Sequence, residues 1–185
     1  MAFDPNSMFL VHTTGSPFAD EPPDSDAYYA AIGRLMVLWG RFEQNLENVV
    51  QDMSSTPGAP KPPSGRPRSY KKKVEHLKLY CRDTPCLTPL LEYAREFSSR
   101  ALLIGPKRHE IVHANWQGFI ANAPELTVKF ANIRWEGERS KRIKRDIPIS
   151  ELSALTSQIH TLNGDAMNFM RLTIELSGQQ GGNKS

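Results

Sequence analysis

The chain has 185 residues, 39% hydrophobic and 23% charged, with 23 Lys and Arg against 20 Asp and Glu for a net charge of +3. That length and composition suit one globular domain whose core needs no disulfide or metal staple, and they exclude a disordered or fibrous chain. No apolar run reaches the roughly 18–20 residues needed to cross a bilayer; the nearest, Ala27 to Gly40, is broken by Arg34, and no membrane partner is expected.

Residues 1–24 carry Pro5, Pro17, Pro22 and Pro23 with scattered acids and no secretory pattern. They read as an N-terminal arm with at most a short extended piece at Phe9-Leu10-Val11. Asp24 or Ser25 is expected to cap a long helix. Along it Tyr28, Ile32, Leu35, Trp39, Phe42, Leu46, Val49 and Met53 recur at spacings of four and three, one stripe down one face. Ser54 to Arg68 turns to Ser, Pro, Gly and basic residues and reads as an unpacked linker. A second helix spans Ser69 to Asp83, with Tyr70, Val74, Leu77 and Cys81 on one face, and Pro85 ends it.

Thr88-Pro89 reads as an N-cap with proline in the first turn, and Leu90, Ala94, Phe97, Ala101 and Ile104 mark a third helix. Gly105-Pro106 is expected to interrupt it, so that the following residues open a fresh helix or follow a sharp kink, with backbone amides near Lys107 to His109 left free. The period then falls to two: Trp116 to Asn122 and Leu126 to Trp135 alternate around Ala123-Pro124-Glu125, a hairpin, and a basic third strand is expected from Arg142 to Ile149. Ser150 caps the last helix, whose Leu152, Leu155, Ile159, Leu162, Ala166, Phe169 and Leu176 form another stripe that Gly178 stops.

The predicted fold is therefore mainly α: a four- to five-helix bundle over residues 25–177, with a β-hairpin of two to three strands inserted at about 116–149 before the last helix, and a disordered tail from 178 to 185. Cys81 and Cys86 lack Cys-x-x-Cys spacing and read as reduced thiols of a cytoplasmic protein, with a local bridge as the lesser alternative. Basic residues cluster at Lys61, Arg66, Arg68, Lys71, Lys72 and Lys73 and again at Arg139, Lys141, Arg142, Lys144 and Arg145. Such clusters suit a nucleic-acid backbone, and equally a solvated surface.

The chemistry-bearing stretch is Gly105-Pro106-Lys107-Arg108-His109-Glu110-Ile111-Val112-His113-Ala114-Asn115-Trp116. It parses in two ways. His109-Glu110-x-x-His113 has the spacing that puts two zinc-ligating histidines on one helix face with a glutamate to activate water. The third ligand is missing, because Trp116 and Phe119 stand where a longer zinc signature needs Gly and His, leaving only Glu151 or Glu175 downstream. Alternatively, Arg108 and His113 form a metal-free pair: arginine's planar fork matches phosphate oxygens, and histidine exchanges protons near neutrality. A helix beginning near Lys107 would add anion-attracting amides.

Arg108-x4-His113, with the polar His109 directly after the arginine, resembles the motif of HEPN domains. The first helix, with Ile32-Gly33-Arg34-Leu35 and Trp39-Gly40-Arg41-Phe42-Glu43 leading into Leu46, is similar to their opening helix. The resemblance covers about residues 25–177; the hairpin departs from the minimal bundle. It implies a homodimer whose paired motifs form one RNA-cleaving site needing no cofactor or metal, in a toxin or antiviral setting with an antitoxin or effector protein as a further partner. Carried over, Arg108 holds the scissile phosphate, His113 is general acid or base, and His109 assists. Lys107, Asn115 and Trp116 are expected to assist substrate binding, with Lys71, Lys72, Arg142 and Lys144 along the RNA backbone. Trp116 and Trp135 are candidates to stack on bases. Glu110 is given no role beyond a cap or a pairing with Lys107. Some HEPN-like dimers bind nucleotides or proteins without cutting, and that alternative stays open beside the zinc metalloprotease.

Overall fold

The computed structural model describes residues 22, 24–61, 65, 67–120, 123–136 and 139–179. The expected extended piece at Phe9-Leu10-Val11 and residues 180–185 of the expected tail lie outside these residues. In chain order the elements are α1 (Ser25–Ser55), α2 (Tyr70–Asp83), a short 3-10 helix (Pro85–Leu90), α3 (Leu91–His113), β1 (Asn115–Phe119), β2 (Thr127–Glu136), β3 (Arg139–Pro148) and α4 (Ile149–Gln179). The expected architecture is thus present: four α-helices with a three-stranded antiparallel sheet, in the order β1-β2-β3, set before the last helix. No described helix is long and apolar enough to cross a membrane.

Each stripe read from the sequence faces the core. Tyr28, Leu35, Trp39, Phe42, Leu46, Val49 and Met53 of α1 are buried, as are Leu152, Leu155, Ile159, Leu162, Ala166 and Phe169 of α4. Each large apolar side chain removed from water contributes about 1.5–3 kcal/mol. A polar pair fixes the register of these two helices: Asn45 Nδ2 donates to Asn163 Oδ1 at 2.9 Å, and Asn163 Nδ2 donates to the Leu38 carbonyl at 3.0 Å. α2 and α3 pack against each other and against this pair through Val74, Leu77, Phe97 and Ala101. Cys81 is buried and Cys86 half-buried, and both are free thiols.

The sheet docks at the start of α1. The Tyr28 hydroxyl donates to the buried Ile147 carbonyl at 3.0 Å, while Trp116 and Phe119 of β1 pack edge-on or tilted against the Tyr28 and Tyr29 rings. A bulge between Trp116 and Gly118 shifts the β1–β2 register. Gly118 sits there at φ 114°, a conformation that side chains disfavour. β2 and β3 pair over ten residues each, from Thr127↔Pro148 to Glu136↔Arg139.

Several boundaries differ from the sequence reading. Asp24 precedes α1 without a side-chain capping bond; the start is held by Ser25 N–H donating to Pro22 O at 3.0 Å. The linker is partly packed, since Pro67 is buried and Ala59 rests on the core. Thr88 does not cap α3, because the 3-10 helix runs from Pro85 straight into it. Ser150 is inside α4 and is itself capped: Glu125 accepts from Ser150 N at 3.1 Å and from Ser150 Oγ at 2.7 Å. Acidic oxygens at a helix start satisfy its free amides and favour its dipole. Gly178 remains helical.

The largest correction concerns Gly105-Pro106. α3 runs unbroken from Leu91 to His113 with Pro106 inside it. Proline in a helix interior costs about 3 kcal/mol and deprives the Leu102 carbonyl of its usual donor. Packing offsets that cost: Ala101, Ile104 and Gly105 are buried before the proline and Ile111 after it, while Pro106 itself is exposed. The motif therefore lies in the last turns of a helix, and no helix N-terminus opens at Lys107.

Candidate functional site

The end of α3 forms one wall of a groove of about 1640 Å³. α1 contributes Trp39 and Glu43, α2 contributes Tyr70 and Lys71, and the sheet closes the far side with Phe130, Ala131, Ile133, Ile143, Lys144 and Arg145. From α3 come Gly105, Arg108, His109, Glu110 and His113, followed by Asn115 at the start of β1. Arg108, His109, His113, Asn115, Lys71 and Lys144 thus line one groove.

Arg108 is half-buried, its guanidinium lying 5.4 Å from the centre of the Trp39 ring. Trp39 is 3% exposed and is fixed in turn by the Phe42 and Tyr70 rings, at 5.4 and 5.1 Å between centroids. Stacking on an indole orients the planar fork and lowers its rotamer freedom before any ligand arrives. Neither Arg108 Nε nor Trp39 Nε1 has a hydrogen-bond partner among the described residues.

His109 and His113, four residues apart on α3, are both exposed, with ring centroids 4.3 Å apart. The pair stands at the carbonyl end of the helix, which carries partial negative charge and does not itself attract phosphate. Positive charge in the groove comes from side chains: Arg108, Lys71 and Lys144.

Tyr70 shapes the floor. Its ring crosses α3 at Gly105, where an added Cβ would lie 2.6 Å from Tyr70 Cε1, and its hydroxyl donates to the Ala101 carbonyl. Burial, with the Glu43 charge as a smaller contribution, raises the Tyr70 phenol above its ordinary value, so it stays protonated. Gly105 is a docking point for this ring, where the sequence suggested a helix break.

Glu110 joins a bridge between elements. Arg145 of β3 forms ion pairs with both Glu110 of α3 and Glu151 of α4. This bridge gives Glu110 a partner the sequence did not suggest and ties the sheet to the helix that carries the motif. It also bears on zinc. Glu151 is held by Arg145 and Glu175 by Arg171 at 2.5 Å, and no group of three metal-ligating side chains forms among the described residues. His109 and His113 have the spacing for two ligands and lack a third within the described chain.

Other expected residues lie elsewhere. Trp116 does not line the groove; strand alternation turns it, beside the exposed Asn115, onto Tyr28, Tyr29 and Phe119, where its half-buried ring packs. Lys107 and Lys72 are exposed but outside the groove lining. The Arg142 and Trp135 side chains fall outside the described residues, though the β3 backbone pairs Arg142 with Ile133. Sequence reasoning missed Trp39, Glu43 and Tyr70 as site residues. Trp39 and Tyr70 look like ordinary members of apolar stripes, and only Glu43, a carboxylate one turn beyond Trp39, carried any signal.

No protein-family model matches the chain, and no curated protein or solved structure does either.

Proposed function

We propose that the chain is a metal-independent endoribonuclease of HEPN type, acting as a homodimer in which two Arg108/His113 motifs form one site. The observation that carries this reading is the convergence, in one groove, of a tryptophan-backed arginine and two exposed histidines with Lys71 and Lys144. Arg108 holds the scissile phosphate and stabilises the charge that builds on it. One histidine takes the proton from the ribose 2′-hydroxyl as its oxygen attacks phosphorus. The bond to the 5′-oxygen breaks, and a protonated histidine gives that oxygen its proton, leaving a 2′,3′-cyclic phosphate and a 5′-hydroxyl. His113 fills one of these roles; His109, or the second copy's His113, fills the other. Leu103, 69% exposed on α3 one turn before the motif, supports a second copy packing there. An antitoxin or effector protein as further partner belongs to the same proposal.

The experiment is incubation of purified protein with single-stranded RNA, with and without EDTA, beside Arg108→Ala and His113→Ala. Cleavage that survives EDTA and disappears in both variants is expected. Cleavage or peptide hydrolysis abolished by EDTA, with stoichiometric zinc, would replace this reading with the His109/Glu110/His113 one. RNA binding without cleavage would leave a non-catalytic binding module, and a strict monomer would remove the composite site.

A further inference from the structure

Glu43 and Arg108 line the same groove with opposite charges, and neither neutralises the other. Glu43 is half-buried on α1, one turn after the Trp39 on which Arg108 rests. Among the described residues its carboxylate makes no hydrogen bond or ion pair. The other groove carboxylate differs: Glu110 is held by Arg145. Lys73, the basic residue of α2 turned toward α1, is taken by Glu47 at 2.6 Å, one turn beyond Glu43.

An ionised carboxylate can only accept hydrogen bonds. In a groove that otherwise presents Lys71, Arg108, Lys144 and two histidines, an uncompensated carboxylate repels a phosphate chain unless the ligand offers it a donor. A ligand that satisfies both groups carries an anion for Arg108 and a donor for Glu43. In RNA the donor carried by every nucleotide, whatever the base and on either side of the scissile phosphate, is the ribose 2′-hydroxyl, the group by which a protein tells RNA from DNA.

We propose that Glu43 is a specificity-determining residue whose carboxylate accepts a hydrogen bond from the 2′-hydroxyl of a ribonucleotide flanking the one cleaved at Arg108, not from the attacking hydroxyl, and that by charge repulsion it disfavours DNA. The inference rests on the reading of this groove as an RNA site. Hydrogen bonds to charged acceptors are among the stronger ones, and losing one is read as roughly a tenfold or larger change in affinity.

The test is a fluorescence-anisotropy titration in the His113→Ala background, so that bound RNA is not cut, comparing the chain with Glu43 intact and with Glu43→Gln against three labelled oligonucleotides of one sequence: RNA, fully 2′-O-methylated RNA and DNA. Glu43→Gln keeps the side-chain volume, and helix content by circular dichroism checks its fold; Glu43→Asp serves as a second variant that keeps the charge. The expected result is that the chain with Glu43 intact binds RNA at least about tenfold more tightly than either analogue. Glu43→Gln should lose most of that preference, chiefly by binding DNA better, while Glu43→Asp keeps part of it. Undiminished RNA preference in Glu43→Gln overturns the role of Glu43 and leaves the RNA groove standing. Equal binding of RNA and 2′-O-methylated RNA by the chain with Glu43 intact overturns the choice of donor and points to a base amino group. Absence of binding to all three sinks the RNA groove, and the Glu43 proposal with it.

Discussion

Tyr70 lies across α3 at the one position, Gly105, where that helix has no side chain to hold it off. A Cβ at Gly105 would come within 2.6 Å of Tyr70 Cε1 and 3.4 Å of Cδ1 and Cζ. The ring is wedged between this point and the Trp39 and Phe42 rings, and its hydroxyl is bound to the Ala101 carbonyl. The contact holds α2 against the helix that carries Arg108 and His113.

Gly105→Ala should therefore destabilise the protein by about 1–3 kcal/mol, the usual range for overpacking a tight interior. The gain of about 1 kcal/mol from alanine's better helix propensity opposes this but does not reverse it, because Tyr70 cannot swing away without giving up its hydroxyl bond. Urea unfolding checks the sign. A neutral or stabilising Gly105→Ala would mean that the ring moves freely. In the Tyr70→Ala background the same substitution should become neutral or favourable, since the obstruction is gone.

Arg108→Lys keeps the positive charge and removes the planar fork stacked on Trp39. If the arginine acts on phosphate through paired, oriented N–H groups, lysine should lower single-turnover RNA cleavage by roughly 10²-fold, the cost of one lost transition-state donor. Wild-type rates in Arg108→Lys would reduce the residue to a point charge and remove Trp39 from the site.

Alkaline pH should weaken the fold through Cys81. Burial pushes this thiol from 9.0 up to about 12. A group whose folded-state pKa is raised favours the native state while protonated in both states. Stability should thus be full below about pH 9 and fall as pH rises from there toward 12, by up to about 1.4 kcal/mol per pH unit for one proton. Tyr28 and Tyr70, also raised by burial, add to the fall above 10. Denaturant midpoints across this range, compared with Cys81→Ala, isolate the thiol: the variant is less stable overall but has a flatter slope between about pH 9 and 10. An unchanged slope would refute the assignment. At neutral pH a maleimide should label Cys86 and spare Cys81 until the chain unfolds.

The sequence by itself determined the helices, their inward faces and the switch to strands. The stripes from Tyr28 to Met53 and from Leu152 to Phe169 bury as their spacing requires, and the alternation after Asn115 becomes the sheet. These features are legible because burying an apolar face is the dominant favourable term and its period is written in consecutive residues. His109 and His113 were legible as neighbours because residues four apart on one helix share a side; Arg108, about 140° round the helix from His113, meets them only because the groove wraps this end of α3. Tertiary structure alone decided the rest. Local propensity breaks α3 at Pro106, yet burial on both sides carries the helix through, placing the motif at a carbonyl end and not at free amides. Trp116 and Asn115, adjacent in sequence, part to opposite faces of β1. Trp39, Glu43 and Tyr70 reach the groove from helices distant in the chain, and Glu110 finds Arg145 thirty-five positions away. Such contacts depend on how separate elements are packed together, which no local pattern encodes.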